Sequence, residues 1–412
     1  MPRQLLEIDD ARAEVLERVP LPEPEAVALR EAAGRVLAED VIAPEPVPAF
    51  DNSAMDGYAL RAEDSAAASP EHPVRLQVRD ESRAGRPADA SVGEGEAIAI
   101  STGAMIPDGA DAVIRVEDTR AGDNGAVDLF AATGAGQNIR RAGEDIRAGD
   151  TVLRAGTLAG PAELGVLSSA ARSEVLCARR PRVGVVLGGD ELIGPGDPLW
   201  PGAVRDSNAY TVPALAAEAG AEVFSIEHVG DDPGDTRDAI GRGLEADVCV
   251  VCGGVSVGEH DHVRAALERL GAGEVFWGVA LRPGKPTWFG VTEDGRLAFG
   301  LPGNPVSAMV TFILFVRPAL LAMLGRDPAA LRVPVELTEP YAKTPERAHA
   351  LRCRLVPGPR SWLATLTAEQ GSHVLTSMLG ADALAIVPTA SEGVAAGERL
   401  EAELLPAPTI PA

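Results

Sequence analysis

The chain has 412 residues, which is too long for one hydrophobic core, so we expect several compact domains. It carries 61 Asp and Glu against 37 Lys and Arg, a net charge of -24, which disfavours nucleic acid and anionic membranes as partners. An anionic ligand would therefore require a local basic pocket or a bridging Mg²⁺.

The first 180 residues predict two helical segments around a β-rich insert. "IDDARAEVLERV" near the N-terminus and "TLAGPAELGVLSSA" after residue 155 both show helical spacing, so residues 1–44 and 143–180 are predicted to form one helical linking domain. Between them, residues 45–142 open with the proline-rich "VIAPEPVPAF" and alternate short apolar runs with glycine and proline turns. This pattern predicts a β-rich domain.

The second half of the chain predicts an α/β domain followed by a small β-barrel domain. Strand and helix patterns alternate over residues 181–327, which indicates an open, mostly parallel sheet with helices on both faces. Short strands without helices fill residues 328–412. The fold class is thus α/β plus β, in several domains. The apolar stretch 306–324 is nearly as long as a membrane span, but Arg317 and Pro318 interrupt it, which favours a buried helix.

The four cysteines predict a reduced, cytoplasmic protein. Cys249 and Cys252 form a C-x-x-C inside the apolar run "DVCVVCGG". Residues three apart in a strand point to opposite faces, so buried thiols are favoured over a disulfide or a shared metal. The N-terminal segment turns acidic too soon for a secretory signal.

Polar residues follow four of the predicted strands of the α/β domain. Because the carboxyl ends of parallel strands share one edge, we expect these residues to form one rim. They are Asp190 and Glu191 after the first strand, Ser256, Glu259 and Asp261 after the third, then Arg282 with Lys285, and finally Asn304 with Ser307. Each cluster taken alone is also typical of an ordinary surface turn.

Taken together, the rim residues predict an anion site. The turns at Gly253, Gly254 and Pro302 let the backbone approach a ligand, and Arg282 with Lys285 supply positive charge. Glu191 and Asp261 would repel an anion unless Mg²⁺ lies between them, so both are candidate magnesium ligands.

Other chemistries fit the sequence less well. "LRPGKPTWFG" is not a Walker loop, because Pro286 follows the lysine and has no N–H to offer. His260 and His262 could belong to a zinc site, but no further ligand lies at a recurring spacing. The serine of "GGVSVG" is predicted to lie in a phosphate-binding turn, so no Ser-His-Asp arrangement is assigned, and no G-x-G-x-x-G dinucleotide motif is found.

Two polar segments, "FDNSAMDGYAL" at 50–60 and "RRAGEDIRAGD" at 140–150, lie at the predicted domain boundaries. They fit interdomain turns, or the walls of a cleft.

Long motifs along the chain resemble the MoeA family of molybdopterin molybdenumtransferases, to which the gephyrin E domain also belongs. They are "FDNSAMDGYA", "STGAMIPDGADAVI", "IRRAGEDI", "GGDEL", "GGVSVGEHDH", "RPGKP", "GLPGNPVSA" and "GSHVLTSM". The resemblance implies an enzyme that takes adenylated molybdopterin and molybdate, releases AMP with Mg²⁺, and yields molybdenum cofactor.

The resemblance also implies site residues, shape and partners. Functional positions fall on Asp56, Thr102, Asp145, Glu191, Asp261 and Lys285, and substrate contacts on Gly253, Gly254, Ser256, Arg282, Pro302, Asn304, Ser307, Arg352, Ser372 and Ser377. Arg282 stands where relatives often have lysine, and Gly189 where they often have threonine. The family fold is an elongated four-domain chain whose α/β domain resembles molybdopterin adenylyltransferases.

A homodimer is implied, with "FDNSAMDGYA" of one subunit reaching the α/β site of the other. Molybdopterin adenylyltransferase and molybdoenzyme maturation proteins are the implied protein partners. Two alternatives remain: a molybdopterin adenylyltransferase, which would hardly need three further domains, and a gephyrin-like scaffold.

Overall fold

The computed structural model describes residues 5–21, 23–254 and 262–406. Over these ranges the chain is multidomain and of the α/β plus β class, as predicted. Its units are called the linking unit (residues 24–47 and 146–178), the insert unit (52–140), the α/β unit (182–323) and the barrel unit (332–404). The predicted domain boundaries and the elongated shape stay predictions.

The first helix, Ile8–Leu16, packs against the α/β unit. Ile8, Ala11 and Val15 lie on one face at helical spacing and are buried in the main core of that unit. Their contacts are with the long helix near its C-terminal end. The prediction that this helix packs in a helical linking domain is therefore wrong, because its apolar stripe is covered by a helix some 300 residues away in the sequence.

The linking unit also differs from the helical prediction. It holds one α-helix, Pro161–Ser169, beside two antiparallel strand pairs, which are Pro24–Ala28 with Glu174–Ala178 and Val41–Ile42 with Thr151–Leu153. Leu37, Leu167 and Val175 form its core. Short Val- and Ala-containing runs bounded by proline and glycine form strands here because they pair with each other across the unit.

The insert unit is β-rich, as predicted. Its six-stranded sheet contains, in spatial order, Ala112–Arg115, Gly57–Leu60, Glu96–Ile100, Val74–Ser82, Ala126–Leu129 and Thr119–Ala121. A separate pair joins Asn52–Ser53 to Ile139–Arg140, and the short helix Ala62–Ser65 follows the second strand of the unit. Leu60, Leu76, Ile114 and Leu129 are buried in its core.

The α/β unit contains a six-stranded sheet with the order Glu222–Val229, Arg182–Gly188, Val248–Cys252, Leu297–Leu301, Trp288–Thr292 and Ala272–Trp277. The first four strands are parallel, and the last two pairings are antiparallel. Helices Asn208–Glu218, Pro233–Gly243 and His262–Arg269 connect the strands, and the short strands Leu192–Ile193 and Val204–Arg205 pair beside them.

Two details of this sheet matter for the site. After Arg182–Gly188 the chain adds Glu222–Val229 on one side of that strand and then Val248–Cys252 on its other side. The topological switch point therefore lies between Arg182–Gly188 and Val248–Cys252. Cys249 and Cys252 are buried in cores on opposite faces of the sheet, as the strand spacing predicted. Burial raises the pKa of the Cys249 thiol to about 12.

The long helix Pro305–Met323 is an α-helix with a π-helical segment at Phe312–Val316. It continues through Arg317 and Pro318, and it is the buried helix that the sequence predicted. Its mean hydropathy of 2.0 and its length would suit a membrane span, but 83% of the apolar window is buried inside the protein. The helix is therefore a core helix of the α/β unit.

The barrel unit closes on itself. Its strands are Arg332–Leu337, Ala348–Pro357, Trp362–Leu366, Ala383–Val387 and Arg399–Leu404, and the pairing of Ala348–Pro357 with Ala383–Val387 completes a five-stranded barrel. Tyr341–Ala342 pairs with Gly393–Val394 beside it. The strand Leu281–Arg282 of the α/β unit adds to the edge of this barrel by parallel pairing with Ala348 and His349.

Candidate functional site

The polar loops of the α/β unit share one edge of its sheet. The four parallel strands end at this edge, and Ala272–Trp277 runs in the same direction because two antiparallel pairings separate it from Leu297–Leu301. The loops that follow these strands are 189–191, 230–232, 253–254, 278–287 and 302–304. We call this edge the rim. From the end of Arg182–Gly188 to the end of Ala272–Trp277 it spans four strand spacings, or about 19 Å.

The predicted ligand-binding glycines lie at the switch point. Gly253 has φ +95°, and a Cβ there would approach the Gly188 carbonyl oxygen to 2.9 Å. Gly254 has φ +64°, and a Cβ there would meet the Val263 side chain at 2.6 Å. Only glycine fits this turn, so the backbone itself forms the crevice wall. Ser256, Glu259, His260 and Asp261, which belong to the same predicted cluster, lie outside the described residues.

Glu191 projects from the loop after Arg182–Gly188. It is exposed, and its carboxylate folds over Gly189, where a Cβ would meet Glu191 Oε2 at 2.5 Å. Gly189 has φ +148°, so the glycine gives this carboxylate its space. Among the described residues the Glu191 carboxylate takes part in no hydrogen bond or ion pair, which leaves its oxygens available to a cation.

The described part of the chain contains no group of three His, Cys, Asp or Glu side chains placed to hold a metal ion. The predicted magnesium pair of Glu191 and Asp261 includes a residue beyond the described ranges, as does the zinc alternative at His260 and His262. Both therefore stay predictions.

Arg282 and Lys285 project from the turn between Ala272–Trp277 and Trp288–Thr292. Hydrogen bonds from Gly278 N to the Thr287 carbonyl oxygen (2.8 Å) and from Val279 N to the Lys285 carbonyl oxygen (3.0 Å) hold the turn. Both basic side chains are exposed, and neither has a hydrogen-bond or ion-pair partner among the described residues. Two cations on a fixed turn suit an anionic ligand.

Arg352 is a cation buried in the barrel unit. It is 0% exposed and donates to Ser377 Oγ (3.1 Å) and to the carbonyl oxygens of Gly371 and Ala350 (3.2 Å each). These acceptors are neutral, and no carboxylate in the described chain pairs with the guanidinium. Burial lowers the pKa of Arg352 to about 10, so it remains charged at neutral pH.

The loop that holds Arg352 docks on the start of the long helix. The Ser372 carbonyl oxygen accepts a hydrogen bond from Val306 N (3.2 Å). Arg352, Ser372 and Ser377 are thereby brought to the rim beside Pro302, Asn304 and Ser307. The helix offers less to an anion than expected, because the Val306 amide already has a partner, and Ser307 is only 3% exposed.

Asp56 and Thr102 bond each other on the insert unit, away from the rim, and Asp145 lies on a loop where the chain leaves that unit. Asp56 Oδ1 accepts hydrogen bonds from Thr102 N (2.7 Å) and Thr102 Oγ1 (3.0 Å), and these bonds lower the pKa of Asp56. Asp145 is exposed on the adjacent loop, which Asp51 Oδ1 fixes by accepting from Ala142 N (2.8 Å). This group lies over a different hydrophobic core from the rim, and no described hydrogen bond joins the two.

Two rim residues were missed by the sequence argument. Asp206 and Asn208, at the start of helix Asn208–Glu218, are 6% and 7% exposed, and each keeps one oxygen without a hydrogen-bond partner. The only local signal is "RDSN", residues 205–208, which is typical of a helix start. A capping signature does not reveal which of its oxygens remain unpaired.

These features define a class of protein: a multidomain α/β protein with exposed cations on the carboxyl edge of its sheet, joined to a β-barrel. Residues 6–171 match the MoeA N-terminal region (domain I and II), residues 184–322 a probable molybdopterin binding domain, and residues 334–405 the MoeA C-terminal region (domain IV). The chain belongs to the MoeA family.

Individual relatives agree with this assignment. A molybdopterin molybdenumtransferase of Bacillus subtilis is 36% identical over 98% of this chain and 95% of its own length. One from Haemophilus influenzae is 42% identical over 78% of each chain. The crystal structure of a molybdopterin biosynthesis MoeA protein from Pyrococcus horikoshii superposes with a TM-score of 0.84 at 33% identity, covering 97% of this chain and 99% of that one.

Proposed function

We propose that this chain transfers molybdenum to molybdopterin. It takes adenylated molybdopterin and molybdate as substrates, and it releases AMP with Mg²⁺ to give molybdenum cofactor. Membership of the MoeA family and the names of the relatives support a transferase of molybdenum cofactor biosynthesis. The observation that carries the proposal is the buried, unpaired charge of Arg352.

A fully buried arginine is rare without an acidic partner, because desolvating the guanidinium costs several kcal/mol. Arg352 has only neutral acceptors, so an incoming oxyanion would supply the missing charge. Arg282 pairs with His349, which lies three residues before Arg352 on the barrel strand Ala348–Pro357. Arg282 is exposed, so it can receive the same class of ligand. Molybdate is a tetrahedral oxyanion of this kind.

The length of the rim suits an elongated substrate. A pterin joined to a nucleotide can lie along about 19 Å of sheet edge, from the loop after Arg182–Gly188, past the switch-point glycines, to the Arg282 and Lys285 turn. The two cations would hold the molybdate or phosphate end. Glu191 is free to bind a cation, and Mg²⁺ held there with Asp261 would neutralise charge on the departing phosphate.

The exposed position of Asp56, Thr102 and Asp145 supports a shared site in a homodimer. Their hydrogen-bonded loops lie on a unit with its own core, so they would complete the rim of the other subunit. The protein would work in the cytoplasm, and it would receive its substrate from a molybdopterin adenylyltransferase and pass its product to molybdoenzyme maturation proteins.

The test is release of AMP from adenylated molybdopterin by the purified protein with molybdate and Mg²⁺. Glu191→Gln should abolish release at saturating Mg²⁺ without changing the melting temperature. The matched control is Asp197→Asn, an exposed carboxylate between the strands Leu192–Ile193 and Val204–Arg205 that accepts a hydrogen bond from Gly194 N (2.8 Å) and should leave release intact. ATP consumption in place of AMP release would favour the adenylyltransferase alternative, and full activity in Glu191→Gln would contradict the assigned role.

A further inference from the structure

Three cations from different segments surround one buried histidine where the α/β unit joins the barrel unit. The histidine is His349, which is 4% exposed. The cations are Arg282 of the 278–287 turn, Lys343 after the strand Tyr341–Ala342, and Arg347 before the strand Ala348–Pro357. The pKa of His349 is lowered to about 4, first by burial and then by these three positive charges, so all three lie close to its ring. We call them the basic cluster.

Backbone pairing fixes the geometry of the basic cluster. Arg282 pairs with His349 in parallel register, so their side chains lie on the same face of the barrel sheet. The His349 ring is held by Tyr341, whose Oη lies 2.9 Å from Nδ1 and whose ring meets it edge-on, with centroids 5.7 Å apart. Tyr341 is anchored in turn by antiparallel pairing with Val394. The cations are therefore arranged around a fixed aromatic pair.

The basic cluster has no acidic partner among the described residues. Lys343 Nζ donates to the carbonyl oxygens of Thr389 (3.0 Å) and Thr344 (3.4 Å), whereas Arg282 and Arg347 form no hydrogen bond or ion pair with any described residue. The chain has a net charge of -24, so three neighbouring cations without a carboxylate run against its composition. Because like charges repel each other, an anionic ligand would stabilise this arrangement.

The basic cluster and Arg352 lie on opposite faces of the strand Ala348–Pro357. Side chains alternate along a strand, and Arg352 comes three residues after His349. The two cores agree with this alternation, since Ala350 is buried in the core of the α/β unit and Leu351 in that of the barrel unit. The strand thus separates two groups of cations.

The two groups differ in how open they are. Arg352 is 0% exposed, so its site suits a small free ion that the protein can enclose. In the basic cluster Lys343 and Arg347 are half-buried and Arg282 is exposed, so an anion bound there can remain attached to a larger molecule. The basic cluster therefore fits a phosphate group on an organic ligand better than it fits a free oxyanion.

We propose that Arg282, Lys343 and Arg347 bind a phosphate group of the pterin substrate, on the other face of the strand from Arg352. Two guanidinium groups and one ammonium group can each donate to a different phosphate oxygen, and such charge-assisted hydrogen bonds are stronger than neutral ones. The assignment rests on the proposed function and extends it, because phosphate and molybdate then receive separate cations. Lys343 and Arg347 become substrate-binding residues that no strand-end motif indicates.

The test compares inorganic phosphate with tungstate as probes for the full-length protein, each measured by isothermal titration. Arg347→Gln should raise the dissociation constant for phosphate about tenfold to a hundredfold, the value of one charge-assisted hydrogen bond, and should leave that for tungstate unchanged. Lys343→Gln should act in the same way. Because neither side chain has an acidic partner to lose, the melting temperature of both variants should stay constant.

Arg360→Gln is the matched control. Arg360 is an exposed arginine without a described partner, on the turn after the strand Ala348–Pro357. Its replacement removes the same charge from the barrel unit and should leave the affinity for phosphate intact.

Four results would overturn the assignment. They are no phosphate binding to the parent protein at millimolar concentration, an unchanged phosphate affinity in Arg347→Gln and Lys343→Gln, an equal loss in Arg360→Gln, and a loss of tungstate affinity with phosphate affinity retained, which would favour free molybdate as the ligand of the basic cluster. These titrations need no turnover. A protein that binds phosphate through Arg347 but releases no AMP contradicts only the proposed function, whereas an active transferase with unchanged phosphate affinity in both variants contradicts only this site.

Discussion

Arg12 Nε donates a hydrogen bond to the Leu314 carbonyl oxygen across 3.1 Å. In a regular α-helix this oxygen would accept from the N–H of residue 318, but Pro318 has none. The first helix of the chain thus supplies the donor that the long helix lacks, next to its π-helical segment Phe312–Val316. This bond explains how a proline is accommodated inside the largest core.

The same arginine connects three parts of the chain, so its loss should destabilise the protein. Arg12 Nη2 also donates to both carboxylate oxygens of Glu403 in the barrel unit, at 2.9 Å each. Arg12→Gln should lower the free energy of unfolding by about 2–4 kcal/mol, because a buried carboxylate and a buried carbonyl lose their partner. Urea unfolding followed by circular dichroism measures the change.

Arg332→Gln is the control for that experiment. Arg332 Nη2 bonds the same Glu403 at 2.9 Å, but its side chain is 40% exposed. We expect a loss of about 1 kcal/mol or less, because solvent screens this half of the pair. Equal losses in both variants would mean that burial does not decide the strength of the cluster.

His349 gives the barrel unit a pH-dependent stability. It is 4% exposed, its Nδ1 shares a hydrogen bond with Tyr341 Oη (2.9 Å), and burial, together with Arg282, Lys343 and Arg347, lowers its pKa to about 4. The unfolded chain binds this proton near pH 6.5, so the stability contribution is complete above pH 6.5 and is lost as pH falls towards 4.

The prediction compares the pH dependence of the melting temperature in His349→Gln and in the parent protein, because many carboxylates titrate in the same pH range. His349→Gln should narrow the drop in melting temperature between pH 6.5 and 4.5 relative to the parent protein, since glutamine takes up no proton. Each pKa unit of the shift is worth up to about 1.4 kcal/mol. Parallel pH profiles for the two proteins would show that His349 is protonated equally in the folded and unfolded states.

The rim could be predicted from the sequence because a parallel sheet brings its strand ends together whatever the details of packing. Glu191, Arg282, Lys285 and Asn304 were found in this way. The unpaired oxygens of Asp206 and Asn208 could not be, since they depend on which hydrogen bonds the folded chain forms.

Long-range packing was also beyond the sequence argument. The pairing of Leu281–Arg282 with the barrel joins residues more than 60 positions apart, and no local pattern encodes it. The first helix has an apolar stripe that would fit any hydrophobic surface, which is why its partner was predicted wrongly. Family resemblance supplied Asp56, Thr102 and Arg352, whose roles no spacing rule indicates.

A shared site in a homodimer predicts complementation between two inactive variants. If Asp56 of one subunit serves Lys285 of the other, a heterodimer of Asp56→Asn and Lys285→Ala subunits keeps one intact site and one doubly altered site. A random one-to-one mixture should then recover about a quarter of the parent activity. AMP release after mixing and refolding measures it.

The outcome separates two architectures. A site made within one subunit would leave both sites of every heterodimer damaged, and the mixture would stay as inactive as either parent variant. A monomer in sedimentation would also contradict the shared site. Thr102→Ala is a useful companion variant, because it removes a hydrogen bond to Asp56 and should lower activity without lowering the melting temperature.

The last prediction concerns Arg282 and Lys285, the exposed cations on the 278–287 turn. Lys285 has no described partner to lose, so Lys285→Ala should raise the molybdate or tungstate dissociation constant about tenfold to a hundredfold, the value of one charge-assisted hydrogen bond, while the melting temperature stays constant. Arg282→Lys should be milder, because it keeps the positive charge. Affinity should fall less steeply with salt in Lys285→Ala than in the parent protein. Isothermal titration decides: unchanged oxyanion affinity together with a lowered melting temperature would mean that the turn only joins the α/β unit to the barrel.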